Sequence, residues 1–408
     1  MVAGLKAGNP AEFARPIPDF WNLVRNGEPY RLLFPLGTVL GICGVLLWPL
    51  FFWRIFATYP GQIHARVMIE AFLGCFVAGF LGTAVPRLLS TPALKPWQTA
   101  TIALALCGVA ILHAASLPLW GDVAFAAGMA VLCSALIARL LARNDTPPPS
   151  FVLVALGLLS ALVGAVLQIV ARLPGADFPF WVVRLGQLLL YQGFILLPAM
   201  GIGAFLLPRF VGLKSRQDFP ESRLVPSGWT PRALFAGCCG LAILISFGLE
   251  AAGSFRWGYG LRAVAVLTFL LRELPLHRTR LIGGSLGLGL RLALISIPLG
   301  YALMALWPAR APALSHVVFI SGFSLLTFIV ASRVILGHSG QAARFATSIR
   351  SVLILVSMIV FAMFTRVTAD WMPKVTMSHY AYAAIAWAMG VAVWGFCILP
   401  FVRVSEPE

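Results

Sequence analysis

Charge is what this chain has least of. Asp, Glu, Lys and Arg together make up 11% of its 408 residues, and only 14 of these are acids. Soluble domains carry roughly 25%, and a chain of this length would otherwise fold as two or three of them. The shortage excludes a soluble protein, because 60% of the residues are hydrophobic and mean hydropathy is +0.91. Cysteine is sparse too. Cys43, Cys75, Cys107, Cys133, Cys238, Cys239 and Cys397 all fall in apolar runs and form no C-x-x-C pair. That excludes a disulfide framework and a thiolate zinc site, and leaves small buried apolar residues. The first 28 residues hold Pro10, Pro16 and Pro18 but no apolar stretch of the kind a cleavable signal needs.

Apolar runs of about 20 residues are what the chain does have. They predict membrane helices near 31–53, 67–86, 97–116, 122–142, 151–171, 183–207, 232–250, 258–273, 281–306, 314–336, 348–368 and 378–402. The expected fold class is therefore all-α: a polytopic membrane helix bundle of about twelve transmembrane helices, forming one membrane domain over 1–408. Its longest connection, 208–231, is read as a cytoplasmic loop joining approximate halves 29–207 and 232–403, between which no convincing repeat is visible. A second connection, Arg143 to Ser150, is proline-rich. The net charge of +16 is better explained by topology than by nucleic acid. With both termini cytoplasmic, about two thirds of the Lys and Arg fall on the cytoplasmic side. Glycines such as Gly37, Gly41, Gly44 and Gly79 suit close helix packing in lipid, where no hydrophobic drive brings helices together.

Function must then come from helix ends and the few polar groups within spans. His64, His113, His316 and His379 fall near the outer ends of their helices, and His277 and His338 near the cytoplasmic face. His316 and His338 are 22 residues apart on one span, about 33 Å along a helix, so they cannot share a metal. His64 and His316 can share one if their helices are neighbours. His113, His277 and His379 read as ordinary interfacial or loop residues. Glu70 and Arg291 are the clearest intramembrane charges, and such groups are usually paired or functional. Glu70 lies six residues beyond His64, on roughly the opposite helix face. The stretch ending in Arg333, Gly337, His338 and Gly340 reads as a helix end. Glycine there permits the turn, and the cations complement the helix dipole.

The segment Ile63 to Pro86 resembles the NnrS family of bacterial membrane proteins. That family reads W-H-A-H-E-M-L-F-G-F and then T-A-V-P, and His64, Ala65, Met68, Gly79, Phe80, Thr83, Ala84, Val85 and Pro86 fall in register. A second block, H…G…R…LGHTGR, is matched by His316, Gly322, Arg333, Leu336, Gly337, His338 and Gly340, with Ser339 for threonine and Gln341 for arginine. Pro298 to Tyr301 and Trp387 to Arg403 add weaker support.

The resemblance implies a twelve-helix protein of the bacterial inner membrane that contains haem and copper and is linked to nitric oxide metabolism or nitrosative stress. It makes His64 and His316 the candidate metal ligands. Arg333, His338 and Gly337 become candidates for binding a cofactor, for example through a haem propionate. The expected partners are the lipid bilayer and nitric oxide or another small ligand. Two departures matter. Arg66 and Val67 stand where the family has histidine and glutamate, and Pro298 stands where it tends to have another histidine. Arginine does not coordinate metals, so the chain binds fewer metals or uses other groups. Two alternatives stay open: a transporter or channel for a small solute, and a metal-free divergent member acting through partner proteins.

Overall fold

The structure is a computed structural model, and it describes residues 20–175, 177–210, 212–274 and 284–405. His277 and the N-terminal prolines lie outside the described residues. Among the described residues the fold is entirely helical. A short α1 (Phe20–Arg25) precedes α2 (Tyr30–Phe52), α3 (Gly61–Leu88), α4 (Pro96–Ala114), α5 (Pro118–Leu141), α6 (Phe151–Val170) and α7 (Phe180–Phe210). Then come α8 (Trp229–Ala251), α9 (Phe255–Glu273), α10 (Gly284–Leu306), α11 (Pro308–His338), α12 (Arg350–Ala369) and α13 (Pro373–Arg403). Eleven of these are long and apolar enough to cross a membrane. The twelfth expected span is α9. Its 19 residues reach about 28 Å, but Arg256, Arg262, Arg272 and Glu273 lower its apolarity.

Local chemistry sets the ends. Prolines open α4 and α5, where a missing N–H costs nothing. Gly340 follows α11 with a left-handed φ of 72°, as the turn requires. Gly337, expected to share that turn, is helical instead, because α11 runs on to His338. The chain ends meet through Arg31, buried in α2, whose Nη1 donates to the carbonyls of Val402 (2.6 Å) and Val404 (2.7 Å).

Packing follows a threefold plan. In α2–α5, α6–α9 and α10–α13 alike, the first helix packs on the second and the third on the fourth. The fourth helix of each group packs on the first of the next, and α13 returns to α2, closing a ring. The second helices, α3, α7 and α11, are the interior: their apolar windows are 78%, 72% and 67% buried, against 50% or less in every other span. The long connection after α7 falls inside the second group rather than between groups. Gln217 within it is buried, accepting from the backbone N–H of Ser150 (2.9 Å) and donating to Glu273 (2.8 Å).

Each interior helix also contains a turn of π-helix: Val67–Leu73 in α3, Leu189–Gly193 in α7 and Val317–Ser324 in α11. Such turns shift the helix face by an extra residue and recur at functional sites. A glycine of the first helix in each group lies against one of them. A Cβ on Gly44 would stand 2.9 Å from Val67, one on Gly164 would stand 2.9 Å from the Leu190 backbone nitrogen, and one on Gly300 would stand 2.5 Å from Val318. Lipid supplies no hydrophobic drive, so such close approach carries the association.

Overpacking typically costs about 1–3 kcal/mol. Gly164→Val is therefore expected to lower the melting temperature in detergent by several degrees. Gly237→Ala, whose Cβ would meet nothing within 4 Å, should leave it unchanged. Equal melting of both variants would contradict the packing account.

Candidate functional site

Polar groups collect at the three junctions between helix groups, near the starts of α3, α7 and α11. At the junction closing the ring, α2, α3, α11, α12 and α13, with Tyr191 of α7, surround a cavity of about 350 Å³. Its walls are mostly apolar and aromatic, with Phe72, Phe319 and Trp387 among them, and His64 and His316 both line it. The Nδ1 of His64 is 3.0 Å from the Gly44 carbonyl, and that of His316 is 2.8 Å from the Pro312 carbonyl. A carbonyl only accepts, so the proton sits on Nδ1 and Nε2 keeps its lone pair, the arrangement found in metal-bound histidines. Met68, one turn after His64, adds a thioether to the wall. Arg366 is the cavity's cation. It pairs with Asp370 at 3.0 Å and lies 3.9 Å from the centre of the Tyr380 ring.

The second junction lies between α3, α4, α5, α6 and α7 and gathers charged side chains. Arg66 bonds Glu70 one turn along α3, sits 3.0 Å from Asp122 of α5, and donates to Gln168 of α6 at 2.9 Å. Arg172 reaches the other Asp122 oxygen at 2.9 Å. His113, at the end of α4, places Nε2 3.6 Å from Asp122 and 3.9 Å from Glu70. Arg66, Glu70, His113 and Asp122 are all buried. Glu70, His113 and Asp122 each offer an atom within 4.8 Å of the others, a group that could hold a metal ion.

At the third junction a cavity of about 480 Å³ opens between α7, α8, α9, α10 and α11, with Arg184, Gln187, Gln192 and Glu250 in its wall. Glu250 accepts from Arg184 (2.7 Å) and from Arg262 (2.8 Å). Arg262 is fully buried and also donates to Ser246 (3.0 Å) and Gln192 (2.7 Å). Each junction thus holds an arginine on a carboxylate: Arg366 on Asp370, Arg66 on Glu70, Arg262 on Glu250.

His64 and His316, expected to share a site if their helices meet, border one cavity. Glu70 faces away from it into the second junction. Its partner is Arg66; Arg291, half-buried, lies two turns into α10. Arg333 and His338 belong to the other end of the bundle. Seventeen residues separate His316 from Arg333, about 26 Å of helix, so one planar ring cannot touch both. Arg333 is held between the rings of Phe210 (4.2 Å) and Phe345 (4.1 Å). His338 lies 3.1 Å from Arg87 and 3.9 Å from Glu28. Gly337 is the residue before it in the helix.

Sequence reasoning missed Asp122 and took His113 for an interfacial residue. The signal was present: α4 and α5 are joined by three residues, so groups on either side of the turn face each other.

Breaking a buried pair by removing one partner costs about 3–5 kcal/mol. Glu70→Gln should therefore lower thermal stability markedly, since it strips the charge that Arg66 faces. Unchanged melting and unchanged activity would show that the pair carries neither.

The sequence matches the family described as NnrS protein over residues 26–404, nearly its whole length. Among proteins of curated function, none matches it.

Proposed function

Because this chain belongs to the NnrS family, we propose that it is a bacterial inner-membrane protein of nitric oxide metabolism or nitrosative-stress resistance. On this reading it binds haem or copper in the cavity between α3 and α11. One observation carries the proposal: two half-buried imidazoles from different helices border the same apolar cavity with their Nδ1 atoms engaged. The donor set fits both groups. Imidazole suits haem iron and copper alike, and the Met68 sulfur adds a soft donor suited to Cu(I).

His64 and His316 would hold the group by Nε2. The Gly44 and Pro312 carbonyls fix the tautomer and ring orientation of each. When bound, the group supplies one-electron chemistry. The protein's own part is physical. Phe72, Phe319 and Trp387 exclude water and leave an apolar space suited to a small neutral ligand such as nitric oxide. Arg366 is the nearest cation for an anionic edge of a cofactor, and the Asp370 carboxylate holds it at the cavity wall. Arg333 and His338, at the far end of the bundle, would serve a different anionic group. The basic bias of the loops supports cytoplasmic termini, with which the cavity would lie on the outer side.

An absorption spectrum of the detergent-purified protein, with copper measured on the same sample, tests this. The expected result is a Soret band or bound copper that falls by more than half in His64→Ala and in His316→Ala. It should persist in His379→Ala, since that ring lies outside the cavity, against the Val375 carbonyl and the Tyr382 ring of its own helix. A colourless, copper-free preparation that is folded and active would overturn the reading.

A further inference from the structure

Three buried polar atoms at the second junction, Glu70 Oε2, His113 Nε2 and Asp122 Oδ1, have no hydrogen-bond partner, although Asp122 Oδ1 keeps its ion pair with Arg66 at 3.0 Å. The exposure of their residues is 0%, 4% and 1%. Leaving such groups unsatisfied is costly, yet all three converge within 4.8 Å. The convergence is built into the packing. Gly121 of α5 makes room for the imidazole, since a Cβ there would stand 2.6 Å from His113 Nε2. One imidazole nitrogen and two carboxylate oxygens form a donor set for a borderline divalent cation such as Zn²⁺.

Formal charge shows why the wild-type chain does not need one. Glu70 and Asp122 contribute two negative charges, and Arg66 and Arg172 contribute two positive, so the cluster is balanced with His113 neutral. A dication would leave it at +2. It would also lie no more than about 5 Å from Arg66 Nη1, adding a typical metal–oxygen distance to the 3.0 Å between Nη1 and Asp122. Buried charges that close are weakly screened. Gln168 and the face of Tyr191 hold the guanidinium in place from behind.

We propose that Arg66 is the resident cation of a latent metal site. Its guanidinium takes the place of a divalent ion between Glu70 and Asp122. A neutral side chain at position 66 converts Glu70, His113 and Asp122 into a site for a borderline divalent metal. Removing Arg66 turns a balanced cluster into one of net charge −1, which a dication brings to +1. The site adjoins the His64 and His316 cavity through Tyr191 but shares none of its imidazoles, and its test does not use haem.

The experiment measures bound zinc by mass spectrometry after full-length wild type, H113Q, R66Q and R66Q/H113Q are each incubated with zinc chloride and desalted. Wild type and H113Q should carry equal zinc. R66Q should gain about one equivalent, and the double variant should lose that gain. Should R66Q purify poorly, zinc added during purification is expected to raise its yield and melting temperature by mass action. An equivalent of zinc lost between wild type and H113Q would overturn the proposal, because the metal would then coexist with Arg66. So would an R66Q protein that gains no zinc, or that fails to fold with and without it.

Discussion

A charge inside a lipid-embedded bundle has to meet its opposite, and that constraint shapes this protein more than any other. With so few acids in the chain, four of the 14 are committed to arginines inside the bundle. Glu70 and Asp122 take Arg66, Glu250 takes Arg262, and Asp370 takes Arg366. These pairs stand at the seams between helix groups, where a hydrophobic contact would be easier to build. Such pairs add little net stability, because desolvation offsets their attraction. They do define which helices belong side by side. Cavities open at two of these seams, so Arg366 and Glu250, which hold the groups in register, also line space where ligands would bind.

Repetition gives the arrangement its economy. Three times, a glycine of an outer helix presses on a π turn of an inner one. Three times, the end of a third helix and the start of a fourth deliver polar groups to the seam. The copies have diverged in content. One seam has two imidazoles and aromatic walls, one has a buried charge cluster, and one has a chamber bordered by Arg184 and Glu250. Divergence on a repeated frame lets a single bundle vary the chemistry of each seam.

Hydropathy revealed the helices because burial in lipid demands long apolar runs, and it placed nearly all of them. The blurred case was α9, which carries four charges, one of them Arg262, turned inward to Glu250 and Gln192. The threefold plan was not legible. A π turn inserts one residue without changing composition, and the longest loop falls inside a group, so loop length suggested a different division. Among site residues, Glu70 announced itself by sitting alone in a greasy run. Arg66 was visible as a departure from the family pattern, but its meaning was not. Only the fold shows that its guanidinium reaches two carboxylates, one of them on another helix. His113 and Asp122 were hidden for the complementary reason, since each is unremarkable until the α4–α5 turn brings them together.

The central claim is that the seam between the last and first helix groups is a cofactor site entered by two imidazoles. A cryo-electron microscopy map of the protein purified in its native lipids tests it most directly. The account predicts ligand density in the cavity lined by Phe72 and Trp387, in contact with Nε2 of both His64 and His316. A cavity filled by a lipid chain, with either imidazole turned away from it, would contradict the account.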